Sequence, residues 1–179
     1  MTDISLSASG LVALSPRAIH ALRDRVGAQA LQEAGYAAGE GTFTAFVRWL
    51  PANAGVDDPR ELAAPRLAEI LSRFFSSLGW GTVEVMPVGE SAFAVDSADW
   101  AEAQAGAGLQ YPGCYFTAGL LADFMSRIAD AALAVMEVEC RSRGDTRCRW
   151  LVGAPETLTA LYQHMAQGAD YRSVLGAAS

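Results

Sequence analysis

The sequence predicts an α+β domain, with N-terminal helices and an antiparallel sheet of about four strands covered by helices. Three observations carry that prediction. Leu67, Ile70, Leu71, Phe74, Phe75 and Leu78 recur at the three-and-four spacing of one helix face. After Gly79 the pattern changes to two short β-type runs, 82–86 and 91–95, joined around Pro87-Val88-Gly89. A second β pair, 132–140 and 148–152, flanks the turn-like Ser142-Arg143-Gly144-Asp145, with an apolar helical stretch between the two pairs.

Taken in order, residues 1–14 read as a loose lead-in. Ser15-Pro16 is a helix start, with serine as N-cap and proline in the first turn. That helix carries Ile19, Leu22 and Val26 and ends at Gly27. A second helix is expected over 28–38 and a third over 42–50, ending before Pro51. Gly35, Gly39 and Gly41 either permit close helix packing or mark a break. Asp57-Asp58-Pro59 starts another helical stretch, and Pro65 opens a new helix or kinks this one. Residues 96–108 form a polar, glycine-bearing connection containing Asp99-Trp100. A helix over 116–129 turns Leu120, Leu121, Phe124 and Ile128 inward. Pro155-Glu156 opens a last amphipathic helix through Leu158, Leu161, Tyr162 and Met165. The expected organisation is one domain over 1–179, with a helical part at 1–56, an α+β ligand-binding core at 57–168 and a tail at 169–179.

Composition narrows the function. The chain is 51% hydrophobic and 18% charged, enough to bury a sizeable core. No apolar run approaches the length needed to span a bilayer, and Met1-Thr2-Asp3 lacks the basic start of a signal peptide, so a cytoplasmic protein is expected. A net charge of −7 argues against nucleic acid as the main partner. All 13 basic residues are arginine, which excludes a lysine Schiff base and a Walker-type phosphate loop. The two histidines, His20 and His164, have no serine or cysteine motif nearby and read as surface or packing residues. No catalytic constellation is found, so a non-enzymatic protein is expected.

The three cysteines lie within one stretch, 114–148. Placing the hairpin tip at Gly144 pairs residues whose numbers sum to 288, so Cys140 faces Cys148 across the strands. Glu137 stands further from the tip, and Cys114 must arrive from the helix before the hairpin. Three thiols and one carboxylate suit a closed, four-coordinate zinc site. Glu137 sits in the otherwise apolar run Leu133-Ala134-Val135-Met136-Glu137-Val138, where a buried carboxylate is costly unless paired or metal-bound. The alternatives are a disulfide or an inert pair of cysteines, with Glu137 and Glu139 both facing water. Arg141, Arg143, Arg147 and Arg149 around the tip would stabilise an anionic centre, or simply form a solvated charged turn.

The run Tyr111-Pro112-Gly113-Cys114, a helix with Gly119, and Glu137-x-x-Cys140-x7-Cys148 resembles the 4-vinyl reductase domain family, which includes the aromatic-effector sensor domains of phenol-responsive bacterial regulators. The resemblance is firm in the C-terminal half. It implies a structural zinc on Cys114, Glu137, Cys140 and Cys148. It also implies the α+β architecture shared by haem nitric-oxide sensors and TRAPP-type tethering subunits, a homodimer joined through the N-terminal helices, and an apolar cavity between helices and sheet for an aromatic or hydrocarbon effector. Candidate walls are Ile70, Leu71, Phe74, Phe75, Phe93, Phe116, Leu120 and Phe124, with Trp100, Tyr111 and Tyr115 as polar anchors; any of these could instead be ordinary core. Phe46 and Trp49 could serve a dimer contact, although core packing explains them equally.

The expectation is a zinc-stabilised sensory or binding domain for a small hydrophobic or aromatic molecule, probed by a cavity of a few hundred cubic ångströms. The alternatives are a tetrapyrrole carrier or accessory protein of the bacteriochlorophyll vinyl-reductase type, and a dimeric adaptor with a filled core and no ligand.

Overall fold

The computed structural model describes residues 11–176. The first ten residues of the lead-in and the last three of the tail lie outside the described residues. Among the described residues, six α-helices and a four-stranded antiparallel sheet follow in the order α1 (Pro16–Val26), α2 (Ala28–Ala54), α3 (Ala64–Ser77), β1 (Glu84–Val88), β2 (Ala92–Ser97), α4 (Tyr115–Ala129), β3 (Ala134–Glu139), β4 (Cys148–Gly153), α5 (Pro155–Ala166) and α6 (Tyr171–Leu175). The strand order is β1-β2-β4-β3, so the two hairpins join through β2 and β4.

Local chemistry sets the boundaries. Ser15 caps α1, accepting from the Ala18 N–H at 3.4 Å. Asp58 caps the 3-10 turn Pro59–Glu61, and Pro65 opens α3 rather than kinking a longer helix. Behind α3, Gly79 N–H reaches the Ser76 carbonyl and Trp80 N–H the Phe75 carbonyl, a Schellman-type stop.

One helix replaces the two expected between residues 28 and 50. α2 runs unbroken through Gly35, Gly39 and Gly41 and carries Pro51 in its last turn. The glycines that suggested a break are the reason the helix survives. A Cβ on Gly35 would collide with the Phe116 carbonyl, one on Gly39 with Asp123, and one on Gly119 with the Gln32 carbonyl. α2 and α4 therefore cross with their backbones nearly touching. Packing along this crossing offsets the roughly 1 kcal/mol that each glycine costs a helix.

The sheet separates two cores. On one face α2, α3 and α4 enclose Phe46, Trp49, Phe74, Phe75, Trp100, Phe124 and Trp150, packed ring against ring. On the other, α5 and α6 cover Val88, Val138, Leu151, Leu158, Leu161 and Tyr171. Phe46 and Trp49 are 0% and 8% exposed, so they belong to the core and not to an external contact. The ordered end of the expected tail is α6, whose Tyr171 hydroxyl donates to Glu139 and accepts from Arg149.

The second hairpin departs from its expected register. Beyond the tip, Glu139 opposes Arg149, which keeps the sum of 288. From Glu137 inward the sum is 287, as in Glu137 opposite Trp150, because a β-bulge intervenes at Val138. Val138 and Glu139 consequently both face the α5–α6 side, while Glu137 and Cys140 both face α4.

Candidate functional site

The bulge makes the metal cluster possible. Residues 137 and 140 differ in parity, so an unbroken strand would send them to opposite faces. With the extra residue they converge on Cys114, the N-cap of α4, and on Cys148, the first residue of β4. Cys114 Sγ lies 3.8 Å from Cys140 Sγ and 3.9 Å from Cys148 Sγ. One ligand atom from each of Cys114, Glu137, Cys140 and Cys148 falls within 4.8 Å of all the others. Zinc–sulfur bonds of about 2.3 Å at tetrahedral angles place sulfurs about 3.8 Å apart. A disulfide is excluded, since a sulfur–sulfur bond is about 2.05 Å long, and all three cysteines are free and buried.

Two further observations test the fit. Glu137 Oε2 accepts the Cys114 N–H at 2.8 Å, while Glu137 Oε1 is buried with no hydrogen-bond partner. An orphaned carboxylate oxygen beside three thiols is a group that a cation would satisfy. The titration behaviour agrees. Burial, reinforced by the neighbouring Cys140 thiolate, pushes the Glu137 carboxyl up to about 9. Hydrogen bonding to Cys140 and then to Cys148, together with burial, drives the Cys114 thiol far above its ordinary value. Cys140, accepting from Cys114 and Cys148, is held well below it. Without a cation the pocket tolerates one anion among four acids; a divalent ion would let all four ionise. The residues therefore fit a bound metal.

The surroundings position this set. Asp145 Oδ2 accepts the Cys140 N–H at 2.7 Å and closes the tip turn. The Gly113 N–H lies 3.5 Å from Cys140 Sγ. The arginines do not surround the sulfurs as expected. Arg147 and Arg149 flank Cys148 in sequence, so strand alternation aims them at the opposite face. There Asp96 and Glu139 hold them, with Arg149 Nη2 2.6 Å from Asp96 Oδ2 and Arg147 Nε 2.9 Å from Glu139 Oε2. Arg143 pairs with Asp145.

Glu102 is a site residue that the sequence reading missed. It is 1% exposed. Its carboxylate accepts the Phe116 N–H at 3.0 Å, the Thr117 N–H at 2.8 Å and the Thr117 hydroxyl at 2.5 Å. The Trp100 indole donates to that same hydroxyl at 2.6 Å. Two carboxylates thus share the first turn of α4, Glu137 taking the Cys114 N–H and Glu102 the next two. The available signal was an acidic residue in a loop ahead of a helix whose own N-cap, Cys114, supplies no side-chain cap.

Burial pushes Glu102 up to about 7 against its three hydrogen bonds. The folded protein therefore retains a proton that the unfolded chain releases between about 4.5 and 7. This group's contribution to stability is fully present at low pH and declines as pH rises through that window, by on the order of 3 kcal/mol. Glu102→Gln should flatten that part of the dependence. Urea unfolding of both proteins between pH 4.5 and 8 will show it as a wild-type stability that falls relative to the variant. Parallel curves would mean that Glu102 ionises as readily folded as unfolded.

A partly enclosed cavity of about 580 Å³ lies on the other side of the same α4 turn. Phe116 and Leu120 of α4 form one wall, Trp80 and Leu78 beyond α3 a second, and Leu11 and Ile19 a third. Trp80 and Phe116 are near-parallel, at 9° and 5.9 Å between ring centroids. Of the expected ligand wall, only Phe116 and Leu120 border this space. Phe74, Trp100 and Phe124 are sealed in the aromatic core at 0%, 1% and 0% exposure, with Ile70, Leu71 and Phe75 beside them. Phe93 packs against that core from β2, Tyr115 is half-buried, and Tyr111 is 66% exposed. The expected space between helices and sheet is filled by side chains because four phenylalanines and two tryptophans meet there. The cavity opens instead at the end of the helical layer.

Comparison with known proteins adds the following. Residues 97–154 match the family model of the 4-vinyl reductase domain. No curated protein matches the chain. Among solved structures, the chain is similar to the phenol-responsive sensory domain of the transcription activator PoxR, determined with phenol. That match has a TM-score of 0.58 and 15% identity and covers 82% of this chain and 77% of that one. It is similar also to trafficking protein particle complex subunit 3 from Naegleria fowleri, covalently bound to palmitic acid, at a TM-score of 0.50 and 13% identity over 79% and 82% of the two chains. A vinyl-4-reductase family protein from Methanocaldococcus jannaschii matches at a TM-score of 0.48 and 20% identity, over 85% and 82%. The first two likenesses show a shared fold, the α+β architecture of the expectation. Cys114, Glu137, Cys140 and Cys148 all fall inside the matched segment, and the resemblance drawn from them holds: residues 97–154 are a 4-vinyl reductase domain.

Proposed function

We propose that the chain is a zinc-stabilised domain that binds, and senses, a small hydrophobic or aromatic molecule, and that it works as a homodimer. The observation that carries this is the double use of one helical turn. Cys114 anchors the start of α4 to the hairpin through the metal cluster, and Phe116 and Leu120 of the same helix wall the cavity. Zinc on Cys114, Glu137, Cys140 and Cys148 has a full coordination shell, so its role is structural. It holds the cavity wall in place and performs no chemistry. A fold shared with a sensory domain that was crystallised with phenol supports binding rather than turnover. The cavity volume falls within the ordinary range for small-molecule sites.

Three free thiols at one metal site suit a reducing cytoplasm. Among the described residues no helix is long and apolar enough to cross a membrane. Leu22 and Val26 on α1 are 43% and 49% exposed, which supports a contact through the N-terminal helices. The crossing of α2 on α4 supports treating the 1–56 and 57–168 parts as a single folding unit. The tetrapyrrole-carrier reading loses ground, because the cavity lining offers no charged side chain for a tetrapyrrole carboxylate. One observation favours the adaptor reading: the core between helices and sheet is solid.

Native mass spectrometry of protein purified without added zinc tests all of this together. It should show a dimer with about one zinc per chain and take up naphthalene. A metal-free monomer with reduced thiols would overturn the reading. A zinc-bearing dimer that takes up nothing would favour the adaptor.

A further inference from the structure

We infer that the cavity beside α4 selects uncharged molecules and rejects anions, with Glu102 as the residue that enforces the rejection. This rests on the reading that the cavity is the binding site. None of the described residues that line it carries a charge, so an ionised ligand would lose its hydration with no counter-ion to replace it. The nearest natural anion acceptor is the N-terminus of α4, which borders the cavity through Phe116. Its N–H groups are already taken. Glu102 holds those of Phe116 and Thr117 and brings a buried carboxylate to the place where an anion would dock. The other helix end at the cavity is the C-terminus of α3, through Ser77 and Leu78. Its free carbonyls form the negative pole of that helix and accept hydrogen bonds. The fitting ligand is therefore a flat, neutral hydrophobe that lies on the Trp80–Phe116 surface and offers at most a hydrogen-bond donor.

Three probes share one ring system and differ in charge: 2-naphthalenemethanol, 2-naphthylmethylammonium and 2-naphthoate. Titration calorimetry at pH 8, where Glu102 is ionised, should rank them in that order. The alcohol should bind at least about tenfold more tightly than the naphthoate. Desolvation penalises both ions, so the gap between ammonium and naphthoate isolates the negative field of Glu102 and the α3 terminus. Glu102→Gln should narrow that gap about threefold or more. Naphthoate binding as tightly as the alcohol would overturn charge selection and leave the cavity reading intact. An ammonium–naphthoate gap that is absent, or unchanged in Glu102→Gln, would overturn the role of Glu102. Gly41→Leu separates the two levels. Gly41 lines the cavity, and a Cβ there meets only Leu11 Cδ2, at 4.0 Å. A leucine should fill the space and abolish binding of the alcohol. Alcohol binding that is absent in the wild type, or undiminished in Gly41→Leu, would overturn the cavity reading and this inference with it.

Discussion

Cys148→Ala should strip the metal from the protein and lower its unfolding free energy by several kcal/mol. Cys148 is fully buried, and its sulfur completes a set in which every member touches a different element: Cys114 caps α4, Glu137 precedes the bulge of β3, Cys140 follows it, and Cys148 opens β4. Losing one ligand frees α4 from the hairpin and leaves Glu137 Oε1 with no possible partner. Structural zinc contributes on the order of 10 kcal/mol in small peptides. A larger apolar core carries much of this fold, so a loss of about 3–5 kcal/mol is expected. Volume and metal effects separate by chelation. In a strong chelator the wild type should fall to within about 1 kcal/mol of the variant, the remainder being the small void left by sulfur. A wild type indifferent to the chelator, with the Cys148→Ala deficit undiminished, would reduce Cys148 to a packing residue and end the metal reading.

The four ligands were legible in the sequence because spacing and a turn bring Cys140 to Cys148, and because Glu137 stands in an apolar run. Their geometry was not legible. Alternation from Cys140 sends Glu137 to the wrong face, and only the bulge at Val138 returns it. Nothing in the local residues marks a bulge, which arises from the competing demands of two cores. Val138 must bury against Leu151 while Glu137 reaches Cys114. The arginines show the opposite case. Residues 147 and 149 alternate with a ligand, and period-two reasoning alone puts them on the far side of the sheet, where Asp96 and Glu139 meet them. The cavity had no signature at all. Its walls come from five separated segments, and the aromatic stripe that suggested a pocket closes on itself as core. Glu102 was missed for a related reason, since the helix it caps begins thirteen residues later, at Tyr115. Helix existence followed from periodicity. The continuity of α2 did not, because Gly35 and Gly39 take their meaning from α4, far along the chain.

Gly119→Ala and Gly35→Ala should each destabilise the protein by about 3 kcal/mol or more, against a gain of up to about 1 kcal/mol for Gly41→Ala. Helix propensity alone predicts three equal gains, because all three glycines lie inside helices with ordinary backbone angles. The crossing decides otherwise. At Gly119 and Gly35 the new methyl group meets the carbonyl of the partner helix, which is backbone and cannot swing aside. The helices would have to separate, and α4 carries Cys114 at its start and Phe124 in the aromatic core. At Gly41 the nearest atom is the end of a leucine side chain at 4.0 Å, an ordinary contact. Chemical denaturation of the three variants reads the difference directly. The coupling to the metal site makes the result informative beyond packing. If α4 is held by both its glycine crossing and its zinc ligand, Gly119→Ala should also release zinc to a chelator faster than the wild type. A stable Gly119→Ala protein that keeps its metal would mean the helices can part by an ångström at no cost, and that the close crossing is not what positions the site.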